Sequence, residues 1–263
     1  MFESRIGVLH VRHARRCAPA WAAVVLAAGC AVDATQPEHA GEQSERLAPV
    51  TGPIADSSGT IATVNTGDAA STGPFFQSLG TNGRTCASCH QPDQGWTIAP
   101  SQIQAVFNAT QGLDPVFRTN DGANSPNAPV ATLAQRQAAY SMLLSRGLIR
   151  IGMPIPPGAD FALVLVEDPY GFASASQLSL FRRPLPATNL RFLSTVMWDG
   201  RENVFVDPKA TPKVLDLTTA LGNQSNDATL GHAQAALALT SAQRQAIVAF
   251  ESALFTAQTS DAA

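Results

Sequence analysis

At 263 residues the chain is long enough for one good-sized domain, or two small ones once a leader is removed. A hydrophobic content of 45% can supply a core, while only 14% charged residues and a formal charge of −3 leave no basic run of the kind that binds nucleic acid, which excludes that class of partner. Low charge made up by Ala, Gly, Ser, Thr and Pro suits a loop-rich secreted protein better than a charged cytosolic one.

Residues 1–29 read as a leader. Arg5, Arg12, Arg15 and Arg16 give a positive stretch ahead of the apolar run from Ala18 to Ala28. The run closes in Leu26-Ala27-Ala28-Gly29-Cys30, which is similar to a lipoprotein signal, although Leu stands one place earlier than usual. Two outcomes stay open: Cys30 is lipidated and holds a periplasmic protein to the bacterial membrane, or ordinary cleavage leaves it a spare thiol. The segment is too short and too arginine-flanked for a stable transmembrane span. Residues 30–66 are polar and rich in Pro, Gly, Ser and Glu, and read as a flexible tether that cannot bury enough surface to offset its ordering entropy.

The folded part is expected over 67–263. Phe75-Phe76 precede a turn-forming run, Gly80-Thr81-Asn82-Gly83, and residues 101–130 read as loop, broken by Gly112, Asp114-Pro115, Asp121-Gly122, Pro126 and Pro129. Leu133 to Ile149 has helical spacing, with Gly147 at its fraying end. Phe161–Val166 is a short apolar run bounded by prolines and reads as one strand of a small hairpin. Leu230–Leu239 reads as a helix, and Thr240 or Ser241 caps a last helix in which Ile247, Phe250 and Leu254 share a face. The expected class is mainly α, with long loops and at most a small β-hairpin.

Cys86-Ala87-Ser88-Cys89-His90 carries the chemistry. Two thiols three residues apart can each add to one vinyl group of haem, and the adjacent His can reach under the porphyrin to ligate iron. A structural zinc site wants about four Cys or His ligands, and beyond the motif the mature chain offers only Cys30, His39 and His232. A thioredoxin-like pair needs a βαβ setting that the pattern lacks, and a simple disulfide leaves His90 without a purpose. The expected cofactor is one covalently attached haem c in a cytochrome c-like domain, tethered by Cys86 and Cys89, with His90 as proximal iron ligand. The sixth position stays open among Met142, Met153, Met197, His232 and water. Thioether raises the reduction potential, imidazole lowers it relative to thioether, and an open position permits small-molecule chemistry. Met142 sits in an expected helix and suits core packing, whereas Met153 lies in Gly152-Met153-Pro154, a loop. Trp96 is a candidate haem-edge packer, or a simple core aromatic.

The stretch Phe75-Phe76-Gln-Ser-Leu-Gly-Thr-Asn-Gly-Arg-Thr-Cys86 resembles the N-terminal haem domain of bacterial di-haem cytochrome c peroxidases and their MauG-like relatives. Arg182-Arg183-Pro184-Leu185-Pro186-Ala187-Thr188-Asn189, followed by Met197-Trp198-Asp199-Gly200-Arg201-Glu202, is similar to that family's segment ending in aromatic-Trp-Asp-Gly-Arg. Leu221-Gly222-Asn223-Gln224 and Ile247–Glu251 resemble the stretches that follow, so the likeness spans roughly residues 67–258. Three departures stand beside it: a second CxxCH is missing, the family's acid/base Glu is replaced around Asn226–His232, and no His closely follows His90.

The resemblance implies a redox protein of the periplasm. The favoured reading is a monohaem cytochrome that exchanges one electron with periplasmic partner proteins. The alternative is an oxidoreductase that reduces hydrogen peroxide, using an external donor or a partner haem subunit. A third reading is a truncated di-haem gene product without activity of its own. The resemblance also gives weight to His232 as sixth ligand or distal acid/base, against a surface histidine without a role. It does the same for Met197 as sixth ligand, against a core Met beside Trp198. Asp199 and Arg201 are expected to pair and fix the loop, with a haem propionate as a further partner for Arg201.

Overall fold

The computed structural model describes residues 49–67 and 72–261. The leader, Cys30 and His39 lie outside the described residues. Strands β1 (Pro49–Asp56) and β2 (Gly59–Asn65) open the fold and β5 (Leu254–Asp261) closes it, forming an antiparallel sheet in the order β1-β2-β5. Thr63 pairs with Thr256 in this sheet, their hydroxyls 2.7 Å apart. Between the two ends run α1 (Pro100–Thr110), α2 (Leu133–Ala139), α3 (Ser141–Arg146), the hairpin β3 (Ile149–Met153) and β4 (Leu178–Arg182), then α4 (Leu217–Gly231) and α5 (Ser241–Ser252).

This corrects the expected class. Helix makes up 31% and strand 18%, with five α-helices and two antiparallel sheets among the described residues, so the fold is mixed α/β and not mainly α. The strands are short and polar, and β2 pairs with β5 across about two hundred residues. Such pairing leaves little local trace, since each strand is stabilised by a partner far along the chain. Residues 49–65, expected within the tether, form β1 and β2.

Other boundaries moved for tertiary reasons. The expected helix over 133–149 breaks at Tyr140, where Asn124 bonds both sides of the break: its amide N–H donates to the Ala139 carbonyl at 2.7 Å and its Nδ2 to the Ser141 hydroxyl at 2.8 Å. Gly147 ends α3 with φ 64°, a left-handed cap. Residues 100–110, expected as loop from 101, form α1, with Pro100 in its first turn and Ile103 and Phe107 buried one turn apart. The hairpin uses Ile149–Met153 and Leu178–Arg182, and the apolar run Phe161–Val166 is irregular and largely exposed. The expected helix over 230–239 is displaced: α4 ends at Gly231, and the chain then turns so that the Ala233 carbonyl accepts the Thr81 amide at 3.0 Å. The last helix forms over Ser241–Ser252, with Thr240 at its N-cap accepting from the Gln243 amide and Ile247 fully buried, but Leu254, expected on its apolar face, begins β5 instead.

Three apolar clusters fill the interior. One holds Ile103, Phe107, Phe117, Tyr140 and Leu143; a second holds Phe75, Trp96, Leu239, Ile247 and Leu254; a third holds Leu190, Val196, Leu221 and Val248. Among the described residues no helix is long and apolar enough to cross a membrane.

Candidate functional site

The Cys-Ala-Ser-Cys-His segment sits on a single 3-10 turn, Cys86–Ser88. Reciprocal bonds close it: the Ser88 amide donates to Thr85 Oγ1 at 3.2 Å and the Thr85 amide to Ser88 Oγ at 3.0 Å. The amides of Cys89 and His90 both donate to the Cys86 carbonyl, at 3.1 and 2.9 Å. This curl brings Cys86, Cys89 and His90 to the wall of one cavity of about 700 Å³, within the ~300–1,000 Å³ typical of small-molecule and cofactor pockets. The cavity lies where the three apolar clusters meet. Cys89 packs on the first, Cys86 on the second and Met197 on the third.

His90 is held from behind. Its Nδ1 lies 3.1 Å from the Trp96 carbonyl oxygen; with Nδ1–H donating there, the lone pair falls on Nε2, the arrangement of a metal-ligating histidine. Burial lowers the pKa of this imidazole, so the ring is held neutral. Trp96 takes the left-handed region at φ 63°, fully buried, and its indole Nε1–H donates to Thr63 Oγ1 at 3.0 Å. Trp96 is therefore not on the cavity wall; it orients His90 through its carbonyl and packs with Phe75 and Phe250. Burial, with a contribution from Glu251, pushes the Cys86 thiol up to about 12, and burial pushes Cys89 up to about 11. Both cysteines are unpaired and neutral.

His232, at the end of α4, stands on the same wall. Its Nδ1 meets Asp121 Oδ2 at 2.5 Å, and the other carboxylate oxygen of Asp121 is paired with the buried Arg84 guanidinium. Arg84 also donates to the carbonyls of Pro115, Val116 and His232. Burial works to raise the Asp121 carboxyl, but the bond from His232 and the charge of Arg84 outweigh it and hold the group below the usual range. The carboxylate thus sets the His232 ring, and the side chain remains 39% exposed.

The end of β4 and the loop after it add Arg182, Arg183, Met197, Trp198 and Arg201 to the wall. Arg201 pairs with Asp199 at 2.8 Å, and Arg182 reaches the same carboxylate at 3.4 Å, so the expected ion pair forms. The Trp198 indole N–H donates to the Arg183 carbonyl at 2.9 Å. Met197 is at φ 71°, a left-handed position that a Met side chain seldom takes.

Of the residues singled out in the sequence, the cavity brings together Cys86, Cys89, His90, Met197, Arg201 and His232. Trp96 stands behind it. Met142 and Met153 do not line it, and Met153 Sδ instead accepts from Arg182 and Arg201 at 3.3 and 3.4 Å. Arg84, Asp121 and Glu251 carry no site role in the sequence reading: Arg84 stands beside the stronger cysteine motif, Asp121 in a stretch with turn character, and Glu251 on a helix without a motif of its own. Among the described residues no group of three or more His, Cys, Asp or Glu side chains is placed to hold a metal by itself. Comparison with protein-family models, with curated proteins and with solved structures gives no significant match.

Proposed function

We propose that the chain is an exported monohaem c-type cytochrome that transfers one electron, with a domain like the N-terminal haem domain of di-haem cytochrome c peroxidases. The observation that carries this reading is the convergence of Cys86, Cys89 and His90 on one apolar cavity, with the His90 Nδ1 3.1 Å from the Trp96 carbonyl oxygen, where a donated Nδ1–H would leave the lone pair on Nε2. The residues fit the group. Two neutral thiols on one turn can form the thioether links, a neutral buried imidazole can hold iron, and an apolar wall shields the porphyrin from water. When bound, the haem supplies an iron centre that cycles between Fe(III) and Fe(II). Of the arginines on the cavity wall, Arg182 and Arg201 are paired with Asp199, and together with Arg183 they could also neutralise acidic groups of the cofactor.

A second reading is a peroxide-reducing enzyme, and one observation favours it. His232 shares the cavity and is oriented by a buried carboxylate, as an acid/base group needs to be. It would take a proton from the incoming peroxide and return it to the departing oxygen to release one water, the second water being completed by two electrons from an external donor and two protons from solvent.

The test is an absorption spectrum of the exported protein, oxidised and reduced, with and without peroxide. A Soret band and a mass increase of one haem are expected in the wild type, and neither in a Cys86→Ala/Cys89→Ala variant. Low-spin iron that ignores peroxide marks the carrier, and high-spin iron that reacts with it marks the enzyme. A colourless protein overturns both readings.

A further inference from the structure

One buried ionisable group on the cavity wall is used by neither reading. Glu251, on the last turn of α5, is 5% exposed, and its Oε2 is buried with no hydrogen-bond partner among the described residues. Among the described residues no cation on the elements packed against α5 bonds to it, and Cys86 of the motif turn, whose thiol Glu251 helps to push up, is neutral. The turn Leu190–Phe192 brings Arg191, whose Nε donates to the Ser252 carbonyl at 2.8 Å. From α4 comes Asp227, which is exposed, and Pro74–Phe76 brings no charge. On α5 itself Arg244 lines a separate groove with Thr218 and Asn223. His90, His232 and the wall arginines share the cavity, yet none bonds to the carboxyl.

We infer that Glu251 exchanges a proton with each electron cycle of the cofactor. As iron goes from Fe(III) to Fe(II) with one electron from a redox partner protein, the Glu251 carboxylate binds one proton from solvent, and on reoxidation it releases that proton. The inference rests on the haem reading above. A buried carboxylate without a counter-charge is costly, and an electron added to the same low-dielectric cavity raises that cost, favouring the neutral acid. Burial alone already pushes Glu251 up to about 8, so the exchange belongs to the pH range from about that value upward, where the oxidised protein carries the carboxylate.

The test is the haem midpoint potential measured across a pH range bracketing that value. In the wild type the potential is expected to fall as pH rises, by at most ~59 mV per tenfold drop in proton activity for a one-electron couple. Glu251→Gln, locked in the neutral form, should give a flat profile at the wild type's low-pH plateau. A flat wild-type profile, or a Glu251→Gln profile with the wild-type slope, overturns the inference while leaving the haem assignment intact. Should Glu251→Gln not mature, redox-difference infrared spectra of the wild type decide. A protonated-carboxyl band that grows on reduction supports the inference, and its absence overturns it. A protein without a Soret band overturns the haem reading and this inference together.

Discussion

Asp121 shows how much of the site depends on a single carboxylate. It is 5% exposed and meets the Arg84 guanidinium on one oxygen and the His232 ring on the other. Asp121→Ala would leave a buried guanidinium without its counter-charge, and removing one partner of a buried pair costs ~3–5 kcal/mol. Denaturant unfolding should show a loss of that size, with the ring of His232 no longer held. The pH dependence follows from the directions of two shifts. Asp121 is held low in the folded state, so its contribution is complete above the ordinary carboxylate pKa of 3.8 and is lost as pH falls through the lower folded value. Glu251 is pushed up from 4.5 to about 8, so the folded protein binds the extra proton in that interval and stability declines as pH rises through it. Thermal unfolding of Glu251→Gln between those values should show a flatter profile than the wild type.

At the scale of elements, the segment after α4 decides where His232 stands. Gly80 lies against the Ala233 backbone so closely that a Cβ there would overlap the carbonyl, and the Thr81 amide and Asn82 side chain bond to the carbonyls of Ala233 and His232. Gly80→Ala should push residues 232–234 away from the motif loop. Limited proteolysis should then cut that segment faster, while far-UV circular dichroism keeps the helical signal of α4 and α5. Thr240 illustrates an element that local chemistry specifies: its hydroxyl accepts the Gln243 amide, and Gln243 Oε1 accepts the Thr240 amide. Thr240→Ala removes that cap, for which ~0.5–2 kcal/mol is the usual loss; chemical denaturation measures it.

For the whole molecule, the first and last described strands meet in one sheet, and the cavity depends on that closure. Leu254, fully buried at the start of β5, pairs with Asn65 in β2 and belongs to the cluster of Phe75 and Trp96 that backs His90. Leu254→Ala should cost ~2–5 kcal/mol by the cavity it leaves, read from the unfolding midpoint. The same sheet supplies Thr63, whose hydroxyl anchors the Trp96 indole, so a residue near the start of the described chain orients the His90 ring through Trp96.

The amino-acid sequence by itself determined the features written in neighbouring residues. The motif turn is specified by Thr85 and Ser88 around Cys86–His90, the end of α3 by Gly147, and the last helix by Thr240 and the spacing of its apolar side. Each rests on interactions within one or two turns of chain, whose energies are local. Only the tertiary structure decided the mixed α/β class, the break at Tyr140, the end of α4, and the meeting of Arg84, His232 and Glu251 on one cavity wall, with Asp121 joining the first two. Those depend on partners separated by tens to about two hundred residues, where a polar strand or a lone carboxylate looks like loop until the group that satisfies it, or fails to, is brought alongside.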